Sequence, residues 1–162
     1  MIITTYQTQI NEDFHNILVK EKSINYSIDT LNGPEKIVTM MNDIFQLDKR
    51  AEEHVFLIAV NAKNRPIGIF ELSHGTFNCC ILSPREVFIR LLLCGACHFF
   101  LVHNHPSGDI SPTQDDIRTT ERIEDAGKLM GVYMLDHIIV GNNYYSFKIQ
   151  GQLNRGNYEK KC

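Results

Sequence analysis

The segment HFFLVHNHPSGD, residues 98–109, joins an apolar run to a polar loop. The run from His98 to His103 has the length and apolar character of a buried strand. The loop from Asn104 to Pro112 is rich in Pro, Gly, Ser and Asp, and a helix is predicted after it, from about Thr113 to Met130, closed by Gly131. This part of the chain therefore indicates a strand, a loop and a helix, with two histidines one residue apart where the strand ends.

The residues His103, His105 and Asp116 have the spacing of a metal site. Two imidazoles at a strand end can face one point, and an aspartate in the first turn of the next helix can supply a third ligand. Two neutral imidazoles and a carboxylate, with water in the fourth position, form an open tetrahedral zinc site that lowers the pKa of the water to about 7. The spacing leaves a second interpretation open, in which Asp116 is only the acid of a Thr-x-x-Asp capping box with Thr113 as N-cap.

Outward from this segment, the apolar periodicity predicts alternating helices and strands. A helix start is indicated by Ser83, Pro84 and Glu86, since serine caps, proline fits the first helical position and an acid favours the first turn. The pattern predicts helices at 35–53, 84–94 and 113–130, and strands at 55–60, 67–72, 79–82, 98–103, 132–140 and 144–149. This order predicts the α/β class, with a mixed sheet and flanking helices in an α/β sandwich.

A chain of 162 residues favours one main domain. Residues 1–32 are polar and weakly periodic, and they are predicted to form an extended N-terminal arm or an irregular strand. Residues 33–150 carry the predicted helices and strands and constitute the domain. Residues 151–162 are polar and charged, and they are predicted to form a loose C-terminal tail.

The composition of the chain argues against several classes of function. Sixteen Lys and Arg against nineteen Asp and Glu give a net charge of −3, which counts against duplex DNA binding as the main activity. No basic leader precedes an apolar segment, and no apolar stretch approaches the ~20 residues of a membrane span, so we expect a cytoplasmic protein without a membrane partner. The five cysteines are expected to be reduced. The haem-attachment pattern at 94–98 is interpreted as core packing, which leaves the metal as the one expected cofactor.

The pattern His103-x-His105, seven residues, Thr113, two residues and Asp116 resembles the JAMM (JAB/MPN) metalloprotease signature. Within that superfamily the chain is similar to the RadC-like group, in a short form that lacks the helix-hairpin-helix module. The blocks that carry this resemblance are HNHPSGD at 103–109, SPREVF at 83–88 and LDHIIVG at 135–141. Because several spaced blocks occur in the same order, the resemblance is more specific than one motif, and it implies the cytidine-deaminase-like JAB/MPN fold.

The resemblance also implies a role for each matching residue. His103, His105 and Asp116 would bind Zn²⁺, and Thr113, which stands where the family has serine, would stabilise an oxyanion. The general base would be a glutamate at the end of an upstream strand, and Glu71 is predicted for it. His137 fits no ligand position, and we expect it to form a hydrogen bond near the site.

Three functions follow from this reading. The first is a zinc-dependent metallohydrolase with peptidase or isopeptidase chemistry, acting on a peptide or isopeptide of unknown identity. The second is a DNA-repair accessory protein that binds DNA or repair partners, which the acidic charge disfavours. The third is a catalytically inactive interaction module, and it gains support if Glu71 points away from the metal. The sequence indicates no oligomeric state.

Overall fold

The computed structural model describes residues 1–27, 30–75 and 82–153. Three α-helices and one short 3-10 helix accompany seven strands within these residues. In chain order they are β1 (Ile2–Ile10), β2 (Asn16–Asn25), α1 (Pro34–Phe45), the 3-10 helix (Leu47–Lys49), β3 (Glu53–Val60), β4 (Pro66–Gly75), α2 (Pro84–Leu93), β5 (His98–Asn104), α3 (Gln114–Met130), β6 (Tyr133–Val140) and β7 (Tyr144–Ser146).

The strands form one mixed sheet in the order β2-β1-β4-β3-β5-β6-β7. The pairs β1–β4 and β5–β6 are parallel and the other neighbours are antiparallel. The parallel β5–β6 pair is joined through α3, as a parallel connection requires a crossover. The α/β class with a mixed sheet is therefore confirmed.

Helices cover both faces of the sheet, so its central strands are buried on each side. On the face that we call the α3 face, β3 residues such as Val55 and Leu57 pack with Ile123 of α3. On the opposite face, called the α1 face, Phe56 and Ile58 pack with apolar residues of α1. The central strand β3 accordingly reads as a continuous apolar run, with no polar alternation that would tell its two faces apart.

The helix termini agree with the predicted caps. The Ser83 hydroxyl accepts a hydrogen bond from the backbone N–H of Glu86 at the start of α2. Thr113 caps α3, and Gly131 ends it in the left-handed conformation with φ +70°. Helix α1 is shorter than its predicted range of 35–53, because Gln46 adopts a left-handed conformation with φ 50° and the 3-10 turn follows it.

The N-terminal residues form two strands, which agrees with the predicted irregular strand and not with an extended arm. Strands β1 and β2 form an antiparallel hairpin whose register shifts between Thr5 and Tyr6, and β1 joins the main sheet beside β4 through a parallel pairing of Thr5 with Ile69. Ile3 is 1% exposed in the core of the α1 face, and the ring of Tyr6 stacks on Phe70. The division of the chain at residues 32 and 150 stays a prediction.

Some predictions fall on residues outside the described ranges. The predicted strand at 79–82 and residues 154–162 of the predicted tail lie mainly or wholly there. The last strand is shorter than predicted, ending at Ser146. Within the described residues, no helix combines the length and apolar character needed to cross a membrane.

Candidate metal centre

Three elements bring the predicted ligands together. His103 lies near the end of β5, His105 follows in the loop after it, and Asp116 lies in the first turn of α3. The backbone N–H of His105 donates to the carbonyl of Val140, which anchors the loop to the end of the neighbouring strand β6. Gly108 has φ +80°, and a Cβ there would lie 2.8 Å from the side chain of Asn142, so the loop requires glycine at this position.

The ligand atoms of these three residues converge. The Nε2 atoms of His103 and His105 are 3.1 Å apart. His103 Nε2 lies 3.2 Å from Asp116 Oδ1, and His105 Nε2 lies 3.5 Å from Asp116 Oδ2. One ligand atom from each residue lies within 4.8 Å of the other two, so the group could hold a metal ion. His103 and Asp116 are fully buried, while His105 is partly exposed and lies on the solvent side.

The two oxygens of Asp116 have different surroundings. Oδ2 accepts hydrogen bonds of 2.7 Å from both the backbone N–H and the hydroxyl of Thr113, and the backbone N–H of Asp116 donates back to that hydroxyl. Oδ1 is buried without a hydrogen-bond donor. Asp116 therefore forms the capping box and also presents a free oxygen to the histidines, so the two interpretations of this residue are compatible.

Hydrogen bonds on the far side of each imidazole orient the rings. His105 Nδ1 lies 2.7 Å from the backbone carbonyl of Asp109, which can only accept, so Nδ1 carries the hydrogen. In the neutral ring the Nε2 of His105 therefore carries a lone pair. His103 Nδ1 lies 2.9 Å from Nε2 of His137, and the expected hydrogen bond of His137 near the site is confirmed.

The pKa values in and around this group are shifted by burial and by neighbouring charges. Burial alone would raise the pKa of Asp116, but the adjacent His103 and His105 outweigh it and hold the pKa well below its usual range. The Asp116 carboxylate raises the pKa of His105, while burial opposes this effect. The charge of Glu53 also raises the pKa of His105. Burial lowers the pKa of His137 well below the ordinary value. The group thus contains an ionised carboxylate beside a neutral, buried His137.

These surroundings fit a divalent cation. A buried carboxylate oxygen without a donor is costly, and lone pairs that face one another repel unless a proton or a cation lies between them. Two imidazole nitrogens and a carboxylate oxygen are the ligands of open zinc sites, with a position left for water or substrate. The donor set of His103, His105 and Asp116 therefore matches this class of site.

Glu71 is not brought to this group, which corrects its predicted position beside the metal. In the sheet ladders Glu71 pairs with Phe56, whereas His103 pairs with Val55. Since paired residues share a face and successive residues alternate, Glu71 projects from the α1 face and His103 from the α3 face. The carboxylate of Glu71 instead lies 2.7 Å from Nδ1 of His54, whose ring stacks on Phe56.

Glu53, which the sequence did not indicate as a site residue, lies on the same face of the sheet as the metal group. It is the first residue of β3 and precedes Val55 by two positions, so it faces the same side of the sheet as His103. Its charge adds to the raised pKa of His105, after the larger effects of Asp116 and the Asp109 carbonyl. The sequence places Glu53 two residues before Val55, so the two residues share a face. This indicates the side of the metal group only if Val55 is known to pair with His103. That pairing cannot be read from a run that is apolar on both faces.

Asn104 ties the backbone on both sides of Glu53 to the end of β5. Its side-chain oxygen accepts from the backbone N–H of His54 at 2.8 Å, and its side-chain nitrogen donates to the carbonyl of Glu52 at 3.0 Å. Asn104 is 2% exposed, so these bonds are shielded from water. The residue between the two histidines therefore fixes the position of Glu53 relative to them.

Comparison with known proteins extends these observations. The family model of the RadC-like JAB domain matches residues 31–152. A UPF0758 protein of Alkaliphilus metalliredigens is 40% identical over 119 residues, which cover 73% of this chain and 50% of the relative. A UPF0758 protein of Clostridium acetobutylicum is 41% identical over 124 residues, covering 76% and 53%. One of Caldanaerobacter subterraneus subsp. tengcongensis is 32% identical over 141 residues, covering 82% and 58%.

The chain spans about half the length of the curated relatives that it matches. The matched region contains every helix that the structure describes, the proposed ligands and both candidate acids. The family assignment from the sequence is confirmed on this basis, and the chain belongs to the RadC-like JAB domain family.

Proposed function

We propose that this chain is a zinc-dependent amide hydrolase of peptidase or isopeptidase type. His103, His105 and Asp116 would hold the metal. The observation that carries the proposal is the convergence of their three ligand atoms around the donor-free Asp116 Oδ1. The partly exposed His105 supports access for a substrate from the solvent side of the group. The substrate class, a peptide or an isopeptide, comes from the JAMM resemblance.

Zinc in this position would polarise an amide carbonyl and make water a better nucleophile near neutral pH. Glu53 is proposed as the general base that accepts a proton from the attacking water and passes it to the leaving amine. Its side of the sheet and its electrostatic effect on His105 support this role. Asn104 would keep the Glu53 backbone in place while the carboxylate moves between water and amine.

Thr113 is proposed to stabilise the oxyanion. At present its hydroxyl donates to Asp116 Oδ2, so the hydroxyl must turn away from the carboxylate to reach a substrate. The backbone N–H of Thr113 also donates to Oδ2 at 2.7 Å, which would keep Asp116 in position when the hydroxyl turns. One residue would thus hold a metal ligand with its backbone and an oxyanion with its side chain.

Hydrolysis by the purified protein is expected to require the metal. The zinc-loaded protein would be incubated with a mixed fluorogenic peptide library and with a lysine-linked isopeptide carrying a fluorophore and a quencher. We expect cleavage that stops on chelation and returns when zinc is added back. Cleavage that survives complete removal of zinc would contradict the proposal. Stoichiometric zinc without cleavage of any substrate would favour the inactive interaction module.

Zinc affinity is expected to fall as the pH decreases. The pKa of His105 is raised above its ordinary value by the Asp116 carboxylate, so its proton persists at a pH where a free histidine is neutral. A cation must displace this proton below that pKa, and the apparent affinity then falls by up to about tenfold per pH unit for each proton displaced. Asp116 adds no such dependence near neutral pH, because its pKa lies well below the usual range. Competition with a chromophoric chelator between about pH 6 and 8 measures the effect, and an affinity that rises with acidity would contradict it.

A further inference from the structure

A buried chain of polar groups runs behind His103 and ends at the backbone of Asp116. His103 Nδ1 lies 2.9 Å from His137 Nε2, and His137 Nδ1 lies 2.6 Å from the hydroxyl oxygen of Thr120. That hydroxyl donates to the backbone carbonyl of Asp116 at 2.6 Å. Each of the four residues is at most 1% exposed. This series of polar groups therefore connects two of the proposed metal ligands and is closed to solvent.

The direction of each hydrogen bond in this series follows from its last group, the backbone carbonyl of Asp116. A carbonyl can only accept, so the single hydrogen of the Thr120 hydroxyl points to Asp116 O. The Thr120 oxygen must then accept from His137, which puts a hydrogen on Nδ1 of that ring. The ring of His137 contacts Thr120, His103 and the stacked face of Phe147, none of which is anionic, so this buried imidazole is neutral.

A neutral His137 with its hydrogen on Nδ1 has a lone pair on Nε2. That lone pair accepts from Nδ1 of His103, so the hydrogen of the His103 ring is held on the side away from the metal group. Nε2 of His103 is then unprotonated, and it is the atom 3.2 Å from Asp116 Oδ1. A free histidine can carry its hydrogen on either nitrogen, and the other tautomer would direct a donor at the position of the cation.

We propose that His137 and Thr120 are positioning residues that hold His103 in its metal-binding tautomer. They also couple His103 to the backbone of Asp116, the ligand on the facing helix. The inference rests on the metal group of the proposed function and does not depend on hydrolysis or on the substrate. Partners of this kind on metal-bound histidines change metal affinity by about 10–100-fold when they are removed.

The test compares His137→Phe with His137→Gln. Phenylalanine keeps an aromatic ring against Phe147 but accepts no hydrogen bond, whereas the glutamine side chain can accept from His103 and donate to Thr120. We expect the zinc affinity to fall about 10–100-fold in His137→Phe and to stay near that of the unaltered protein in His137→Gln. Competition with a chromophoric chelator gives the affinities, and circular dichroism checks the fold of each variant.

Thr120→Val and Thr120→Ser give a second pair in case His137→Phe does not fold. Valine has nearly the shape of threonine but no hydroxyl, so the hydrogen of His137 loses its acceptor; serine keeps the hydroxyl. We expect the valine variant to lose zinc affinity and the serine variant to retain it. Equal affinities in the valine and serine variants would overturn the inference.

The tautomer of His103 can be measured directly, and a change in packing alone would not alter it. Nitrogen-15 spectra of the metal-free protein, recorded above the pKa of His105, are expected to show His103 with a hydrogen on Nδ1 and none on Nε2. The same spectrum is expected for His137→Gln, and a mixture of tautomers for His137→Phe. A hydrogen on Nε2 of His103 in the unaltered protein would overturn the inference. Failure of the unaltered protein to bind zinc would instead reject the proposed function, because the tautomer can be measured without metal.

Discussion

Replacing His103 by glutamine is expected to abolish stoichiometric zinc binding while the sheet stays intact. His103 is fully buried, and its Nε2 is within 3.2 Å of both other ligands. Its backbone pairs with Val55 in the β3–β5 ladder, and a side-chain change leaves those backbone bonds in place. Loss of a residue that merely supports a ligand costs about 10–100-fold in affinity, so loss of a ligand itself is expected to cost more.

Metal content and thermal stability together measure this effect. The unaltered protein is expected to melt at a higher temperature with added zinc, since a ligand at 100 times its Kd stabilises the folded state by about 2.7 kcal/mol. His103→Gln is expected to show no such shift. His74→Gln is the matched control, because its side chain is 68% exposed and lies outside the metal group. Unchanged zinc affinity in His103→Gln would refute the assignment of this ligand.

The parts of the fold that could be predicted are those where one residue type decides a backbone conformation. Ser83 and Thr113 cap their helices, and Gly131 ends α3, as their chemistry predicts. The spacing of the two histidines and Asp116 likewise predicted a convergence that the structure contains. These patterns are formed by residues close in sequence, so they can be interpreted without knowing how the strands pair.

The remaining features depend on contacts between distant residues. Strand β2 is largely exposed and β1 is buried only at Ile3 and Thr5, so neither sequence carries the sustained apolar alternation that predicts a strand. The faces of Glu53 and Glu71 follow from the pairing of β3 with two neighbours, and β3 is apolar on both sides. A one-residue shift exchanges the two faces, so the sequence alone does not tell which of the two glutamates shares a face with His103.

Glu53→Gln is expected to reduce amide hydrolysis by about 10²–10⁴-fold with zinc still bound. Glutamine keeps the size of the side chain but cannot take up the proton of the attacking water. Glu71→Gln is the matched control, since the same change is made on the opposite face of the sheet, beside His54. Hydrolysis is expected to be unchanged in that variant. A loss of activity in Glu71→Gln but not in Glu53→Gln would contradict the proposal and support Glu71 as the base.

The same pair of variants can be tested without any substrate. The charge of Glu53 contributes to the raised pKa of His105, so its removal is expected to lower the pKa of His105 in the metal-free protein. Glu71→Gln is expected to leave the pKa of His105 unchanged, because Glu71 lies across the sheet from the histidines. Proton NMR titration of the His105 ring measures both. If the two variants shift the His105 pKa equally, Glu53 is not the acid that faces the metal group, and the proposed base is wrong even where zinc binds.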